Sequence, residues 1–202
     1  MKLYYATGAC SLAPHIILRE TGLPFQLERV DLGKHQLANG QDYYQISKRG
    51  QVPLLELDDG RKITEGPVIS QYIAEQAGRK DLLPPSGELE RYRVLEWLNY
   101  ISSELHKSYS VLFNKEQPDE AKAITLRALR KKYEWVAQQL RGKDYVMGDT
   151  FTVADAYLFA VTNWAKNFAL DLSDLEPVLA FQQRVKTRPA VLEALKAEGL
   201  DA

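Results

Sequence analysis

One cysteine in 202 residues is the scarcest chemistry in this sequence. A single thiol, Cys10, closes no internal disulfide, which fits a reducing compartment and leaves the thiol free for reaction. Histidines are nearly as scarce: His15, His35 and His106 share no ligand spacing and have no second cysteine to join, so no metal site is expected. An excess of charge is missing too, because 26 Lys and Arg against 27 Asp and Glu leave a formal net charge of -1. Without a long-range field to gather phosphates or anionic lipid, nucleic acid is not expected as a partner, and a small-molecule substrate is. No run approaches the roughly 20 apolar residues of a membrane span, and Met1 to Gly8 contain no apolar stretch of signal-peptide length. No membrane association is expected, and the cytoplasm is the expected compartment.

What is present reads as an ordinary globular chain, 45% hydrophobic and 26% charged, long enough for two small domains that each bury a core. The first eighty residues alternate short β-like runs with helical patterns, as an α/β domain does. Lys2 to Tyr5 reads as a strand, and an apolar helix follows from about Ser11 to Glu20, stopped by Gly22 as a C′ residue and by Pro24. Phe25 to Val30 is a second strand. A polar stretch through Gly33, Asn39 and Gly40 reads as loop, with an irregular helix around Asp42 to Ile46. Pro53 to Leu57 and Lys62 to Ile63 flank an Asp59-Gly60 hairpin turn, and Thr64 opens a helix to about Gln76. Residues 81–87, with Pro84, Pro85 and Gly87, read as a linker between domains at 1–80 and 88–202. Beyond it the patterns are helical only, over roughly 88–113, 118–141, 152–168, 174–187 and 189–197. Thr152 and Asp155 have the spacing of a capping box at the start of one of these helices.

Three local features carry chemistry. Cys10 stands at a helix start, where the dipole and unpaired amides favour thiolate; Ala13, where a dithiol motif needs its second cysteine, leaves no resolving partner. A buried, inert filler is the alternative for such a thiol. Ser11, beside it, either donates to a bound thiolate or caps the helix. In Gln51-Val52-Pro53 the proline holds Val52 extended, so the Val52 backbone is available to pair with a peptide-like ligand, although an ordinary loop-to-strand entry explains the tripeptide equally well. At Thr64-Glu65-Gly66-Pro67 a helix start offers amides for a carboxylate and Glu65 for an ammonium, together enough for an amino-acid zwitterion, although Glu65 also simply complements the dipole. On the helical side, at about 100° per residue, Asn99, Ser103, His106 and Ser110 form one polar stripe, and Val94, Leu98, Leu105 and Leu112 an apolar one. Glu104 points about 140° from Asn99 and cannot join that stripe's pocket within its own chain.

Taken in order, Lys2-Leu3-Tyr4-Tyr5, Gly8-Ala9-Cys10-Ser11-Leu12, Gly50-Gln51-Val52-Pro53, Leu57-Asp58-Asp59-Gly60, Thr64-Glu65-Gly66, Glu96 to Ile101, Glu104-Leu105-His106-Lys107 and Phe151 to Phe159 resemble glutathione transferases over essentially the whole chain, most closely their bacterial beta class. The resemblance implies a thioredoxin-like N-terminal domain joined to an all-α bundle, and a detoxifying conjugation of the glutathione thiolate to hydrophobic electrophiles. Thiol–disulfide exchange and peroxide reduction are implied as side activities. Glutathione is the implied co-substrate: Val52 would bind its cysteinyl backbone, Glu65 and Gly66 its γ-glutamyl end, and Cys10 would face its sulfur, with His106, Asn99 and Ser103 approaching from the helical domain. Cys10, Ser11 and His106 are then the catalytic set. The resemblance further implies a two-fold homodimer in which Glu104 reaches the other subunit's glutathione, Lys107 near it. At the glycyl carboxylate, where relatives tend to carry lysine, this chain has His35 preceded by Lys34. Trp164 is either a wall of the electrophile pocket or a core residue. Two rival functions share these features: a non-catalytic binder of glutathione or hydrophobic ligands, and a glutathione-dependent dehalogenase or isomerase.

Overall fold

A computed structural model describes residues 1–200. Five strands, β1 (Lys2–Tyr5), β2 (Gln26–Asp31), β3 (Gln36–Leu37), β4 (Leu54–Glu56) and β5 (Lys62–Thr64), form one sheet in the order β3-β2-β1-β4-β5. The β1 strand sits at the centre, parallel to β2 with Leu3 opposite Leu27, and antiparallel to β4 with Leu3 opposite Leu55. A parallel pair requires a crossover, and α1 (Leu12–Thr21) supplies it. That helix ends as its sequence dictates, with Gly22 left-handed at φ 67° and its amide on the Leu18 carbonyl. The fold is the expected one: a thioredoxin-like α/β half followed by α2 (Gly66–Gln76) and an all-helical half.

Two local expectations fail in the first half. The polar stretch after β2 contains the short edge strand β3, because Leu37 is buried against Val30 and Tyr43 on the far side of the sheet. Thr64 does not open α2: it is the last residue of β5, and the chain turns into the helix through Glu65 at φ 68°.

The helical half comprises α3 (Leu89–Tyr100), a wide π turn over Ile101–His106, α4 (Lys107–Phe113), α5 (Asp119–Leu140), α6 (Val153–Thr162) with a 3₁₀ extension over Asn163–Phe168, α7 (Glu176–Lys186) and α8 (Pro189–Glu198). Every residue of α6 is buried, which its composition explains, since Asp155 is its only charge. This helix packs on α1, α2, α3 and α7, and one contiguous apolar core runs from Leu3 and Ile16 through Ile69 to Phe159 and Val191. The two halves therefore share a core instead of burying one each.

The capping box at α6 forms as read from the sequence. Thr152 accepts from the Ala154 amide, and Asp155, fully buried, accepts from the Val146 and Thr152 amides at 2.8 Å and the Thr152 hydroxyl at 2.9 Å. Burial pushes this carboxyl up to about 6 against the pull of those donors. Replacing Thr152 with Ala is expected to cost about 1 kcal/mol. Asp155→Ala, which strands three buried donors, should cost about 2–4 kcal/mol. Denaturant unfolding of both variants checks this, and the order Asp155 above Thr152 is the diagnostic result.

Candidate active site

Two adjoining cavities, of about 870 and 270 Å³, lie between the halves and share Cys10, Gln51, Val52 and His106 in their walls. The smaller also holds Glu65, Gly66, Ser102, Lys107 and Tyr157; the larger extends past His35 and Gly50 to Phe113 and Trp164. Residues separated by almost a hundred positions thus meet at one place, and most were marked by sequence.

Cys10 lies in the loop between β1 and α1, half-buried, one residue before the helix's first cap. Its thiol donates to the Val52 carbonyl at 3.5 Å. The expected shift toward thiolate does not occur. Burial pushes the thiol up to about 12, Glu65 adds to this, and the Cys10 and Ser11 amides pull it down too weakly to compensate. Ser11 also departs from expectation: fully buried, its hydroxyl accepts from the Ala6 amide and donates to the Ala6 carbonyl, both at 3.2 Å. It ties the loop down and lines neither cavity.

The loop is also held from the helical half. Trp164 Nε1 donates to the Gly8 carbonyl at 2.8 Å, and the Gly8 amide donates to Glu198 at 2.9 Å. The other oxygen of Glu198 meets His15 Nδ1 at 2.9 Å, both side chains fully buried. Trp164 is therefore both a wall of the larger cavity and a clamp on the loop.

Val52 precedes a cis proline, and its amide has no partner among the described residues. Glu65 is held by Arg49 at 2.6 Å, and Arg49 lines the same cavity. Gly66 needs no left-handed backbone, and a Cβ there would meet only Pro53 at 3.6 Å. His35 lines the larger cavity, φ 50°, its ring 4.6 Å from Tyr44 and its buried Nδ1 without a partner among the described residues. Gly50 makes room for that stack: at φ +62°, a Cβ there would lie 2.7 Å from Tyr44 and 2.8 Å from His35 Nδ1. Lys34 is exposed and lines neither cavity.

The polar stripe on the long helix is only partly realised. Val94, Leu98, Leu105 and Leu112 are buried as expected. His106 reaches both cavities, but Asn99 and Ser103 are exposed and line neither; Ser103 instead bonds back to the Asn99 carbonyl at 3.0 Å. A π turn over Ile101–His106, whose i→i+5 bonding breaks the uniform 100° spacing, intervenes between Asn99 and His106, and Ser102 lines the smaller cavity. Glu104 stays out of its own chain's site, 3.1 Å from Lys132. Burial pulls His106 below its usual value and Lys107 acts the same way, while Glu65 opposes them.

Arg49, Ser102 and Tyr157 went unassigned in the sequence. Tyr157 left one signal: a phenol in a fully buried, mostly apolar helix needs a hydrogen-bond partner, and it finds His106 Nδ1 at 2.6 Å. Among the described residues no three His, Cys, Asp or Glu side chains gather as a metal would require, and no helix is long and apolar enough to cross a membrane.

Residues 7–76 match the glutathione S-transferase N-terminal domain and residues 100–189 its C-terminal domain. Glutathione S-transferase GstA of Escherichia coli O157:H7 is 48% identical, covering 99% of this chain and all of that one. Among solved structures, a ternary complex of BphK, a bacterial GST, superposes with a TM-score of 0.96 at 52% identity over 99% of this chain and 100% of that one. A bacterial beta-class enzyme of Sphingomonas chungbukensis superposes at 0.95 with 41% identity over the full length of both. The thiol loop, the Val52 edge and the α2 start are thus set in a chain that belongs to the glutathione S-transferase family, as its resemblance to the beta class implied.

Proposed function

We propose that the cleft binds glutathione and adds its sulfur to hydrophobic electrophiles seated in the larger cavity. The convergence of Cys10, Val52, Glu65 and His106 on one pair of cavities carries this reading. The free Val52 amide would take the cysteinyl backbone. The start of α2 at Gly66 would receive the γ-glutamyl carboxylate, with Glu65 on the ammonium and Arg49 holding Glu65 in place. His35 would meet the glycyl carboxylate. Phe113 and Trp164, 5.3 Å apart and edge to face, offer the electrophile an aromatic wall.

With the sulfur between Cys10 and His106, the chemistry needs a thiolate and an oriented electrophile. For a chlorinated nitroaromatic, the glutathione thiol gives up its proton, the sulfur lone pair forms the bond to ring carbon, and chloride leaves with the C–Cl electrons. The protonated state of Cys10 suits this: a neutral S–H can donate to the glutathione thiolate, whereas a second thiolate would repel it. His106 either hydrogen-bonds the sulfur or relays its proton. Cys10 would form a mixed disulfide by exchange with glutathione disulfide, releasing one glutathione. An isologous homodimer is part of the reading, with Glu104 reaching the other subunit's site. Val68, Leu89 and Tyr92 on α2 and α3, each at least 49% exposed, give a second copy apolar surface to cover.

Turnover of a chlorinated nitroaromatic with glutathione is expected; no turnover across several electrophile and peroxide classes would favour a binding protein instead. Alkylation of Cys10 in the free protein should be slow at pH 7 and rise about tenfold per pH unit to pH 10, because a raised thiol value leaves little thiolate below it. A plateau above pH 8 would show a depressed thiol. Mild treatment with glutathione disulfide should add one glutathione to Cys10, removable by dithiothreitol and absent in Cys10→Ala, as intact mass would show. His35→Lys, which supplies a permanent charge, is expected to lower the KM for glutathione about threefold to tenfold with little change in kcat.

A further inference from the structure

We propose that Tyr157 is a positioning residue for His106, donating its phenol proton to Nδ1 and so holding the imidazole as the Nε2–H tautomer that faces the glutathione sulfur. The inference rests on the reading of the cleft as a glutathione site, and it adds a direction to the histidine's part in it.

Geometry sets the direction of the hydrogen bond. The Nδ1 to phenol separation is 2.6 Å, within the range of an O–H donor and shorter than an N–H donor to oxygen usually reaches. Tyr157 is 3% exposed on a helix whose every residue is buried, so its O–H needs an acceptor close by. The His106 nitrogen at 2.6 Å is that acceptor. Burial, with Cys10 and Glu65 adding to it and the Ser102 hydroxyl opposing, raises the phenol far above its usual value, so it keeps its proton.

The imidazole then has one choice. Of the groups around it, Glu65 favours its charged form, while burial and Lys107 oppose that form and prevail. A neutral imidazole carries one N–H, and with Nδ1 accepting from Tyr157 that proton sits on Nε2. The ring cannot easily turn over, because Trp164 packs on it at 4.9 Å, 72° between planes, and Tyr157 at 5.9 Å and 78°. Nε2 makes no hydrogen bond among the described residues, and His106 lines both cavities, beside Cys10. A bound sulfur would therefore meet two neutral donors, His106 Nε2–H and, once it turns from the Val52 carbonyl, Cys10 S–H. His106 acts as a hydrogen-bond donor to the thiolate, and the glutathione proton leaves to solvent.

Long-range ¹H–¹⁵N correlation on the full-length, histidine-labelled protein tests this directly, free and with saturating glutathione. Wild type is expected to show an unprotonated Nδ1 and a protonated Nε2 for His106, with glutathione shifting the Nε2 signal. Tyr157→Phe, which keeps the ring, should yield a tautomer mixture and a kcat about tenfold lower, with KM for glutathione changed by less than about twofold. A protonated Nδ1 in wild type overturns the proposal, whatever the folding of the variant. So does a Tyr157→Phe protein with unaltered tautomer and kcat. A His106 signal indifferent to glutathione overturns the shared reading of the cleft, leaving the tautomer assignment itself measurable in the free protein.

Discussion

The site depends on how one loop is held. Residues Ala6 to Ser11 join β1 to α1, and the bonds within this six-residue loop, such as the Ala9 amide to the Ala6 carbonyl, do not by themselves tie it to the rest of the fold. Its position comes from the helical half: Glu198 accepts the Gly8 amide, Trp164 donates to the Gly8 carbonyl, and Glu198 is itself held by buried His15. Ser11 closes the loop from within. These polar groups are buried or partly buried, and where the group is fully buried losing its partner costs on the order of 1–3 kcal/mol and loosens the loop. Because Glu198 and Trp164 lie 190 and 156 residues from Gly8, the two halves can form the thiol's surroundings only together. The shared core reaching from Leu3 to Val191 has the same consequence.

Within that frame the electrostatics favour neutral donors. Burial outweighs the helix-start amides at Cys10 and discharges His106, and it keeps the Tyr157 phenol protonated. Glu65, the one acid in the smaller cavity, is occupied by Arg49. The same low-dielectric setting makes Cys10 sluggish toward electrophiles of its own, which protects the only thiol in the chain.

How far sequence carried depended on range. Most strands and helices, the Gly22 stop and the Thr152–Asp155 box are local, and local patterning was enough to place them; β3 and the start of α2 escaped it, because tertiary packing buries Leu37 and the chain enters α2 through a left-handed Glu65. Cys10, Val52, Glu65, Gly66 and His106 were legible because each follows from its immediate neighbours or from a family pattern. Asn99 and Ser103 lie outside their own chain's cavities; helical-wheel reasoning assumes a uniform turn, and nothing in the Ile101–His106 sequence marks the π turn that interrupts it. The thiol's protonation was misjudged for another reason: proximity to a helix start is visible along the chain, whereas burial is set by residues more than a hundred positions away. The Glu198 and Trp164 contacts on Gly8 and the Tyr157 bond to His106 are tertiary, and no spacing announces them.

The central claim is that one glutathione sulfur sits between two neutral donors that the fold brings together from its two halves. A crystal structure of the protein with glutathione bound tests it most directly. The account predicts the sulfur within hydrogen-bonding reach of both Cys10 Sγ and His106 Nε2, with the cysteinyl backbone paired to the Val52 amide. A glutathione molecule whose sulfur lies far from both Cys10 and His106 would contradict it.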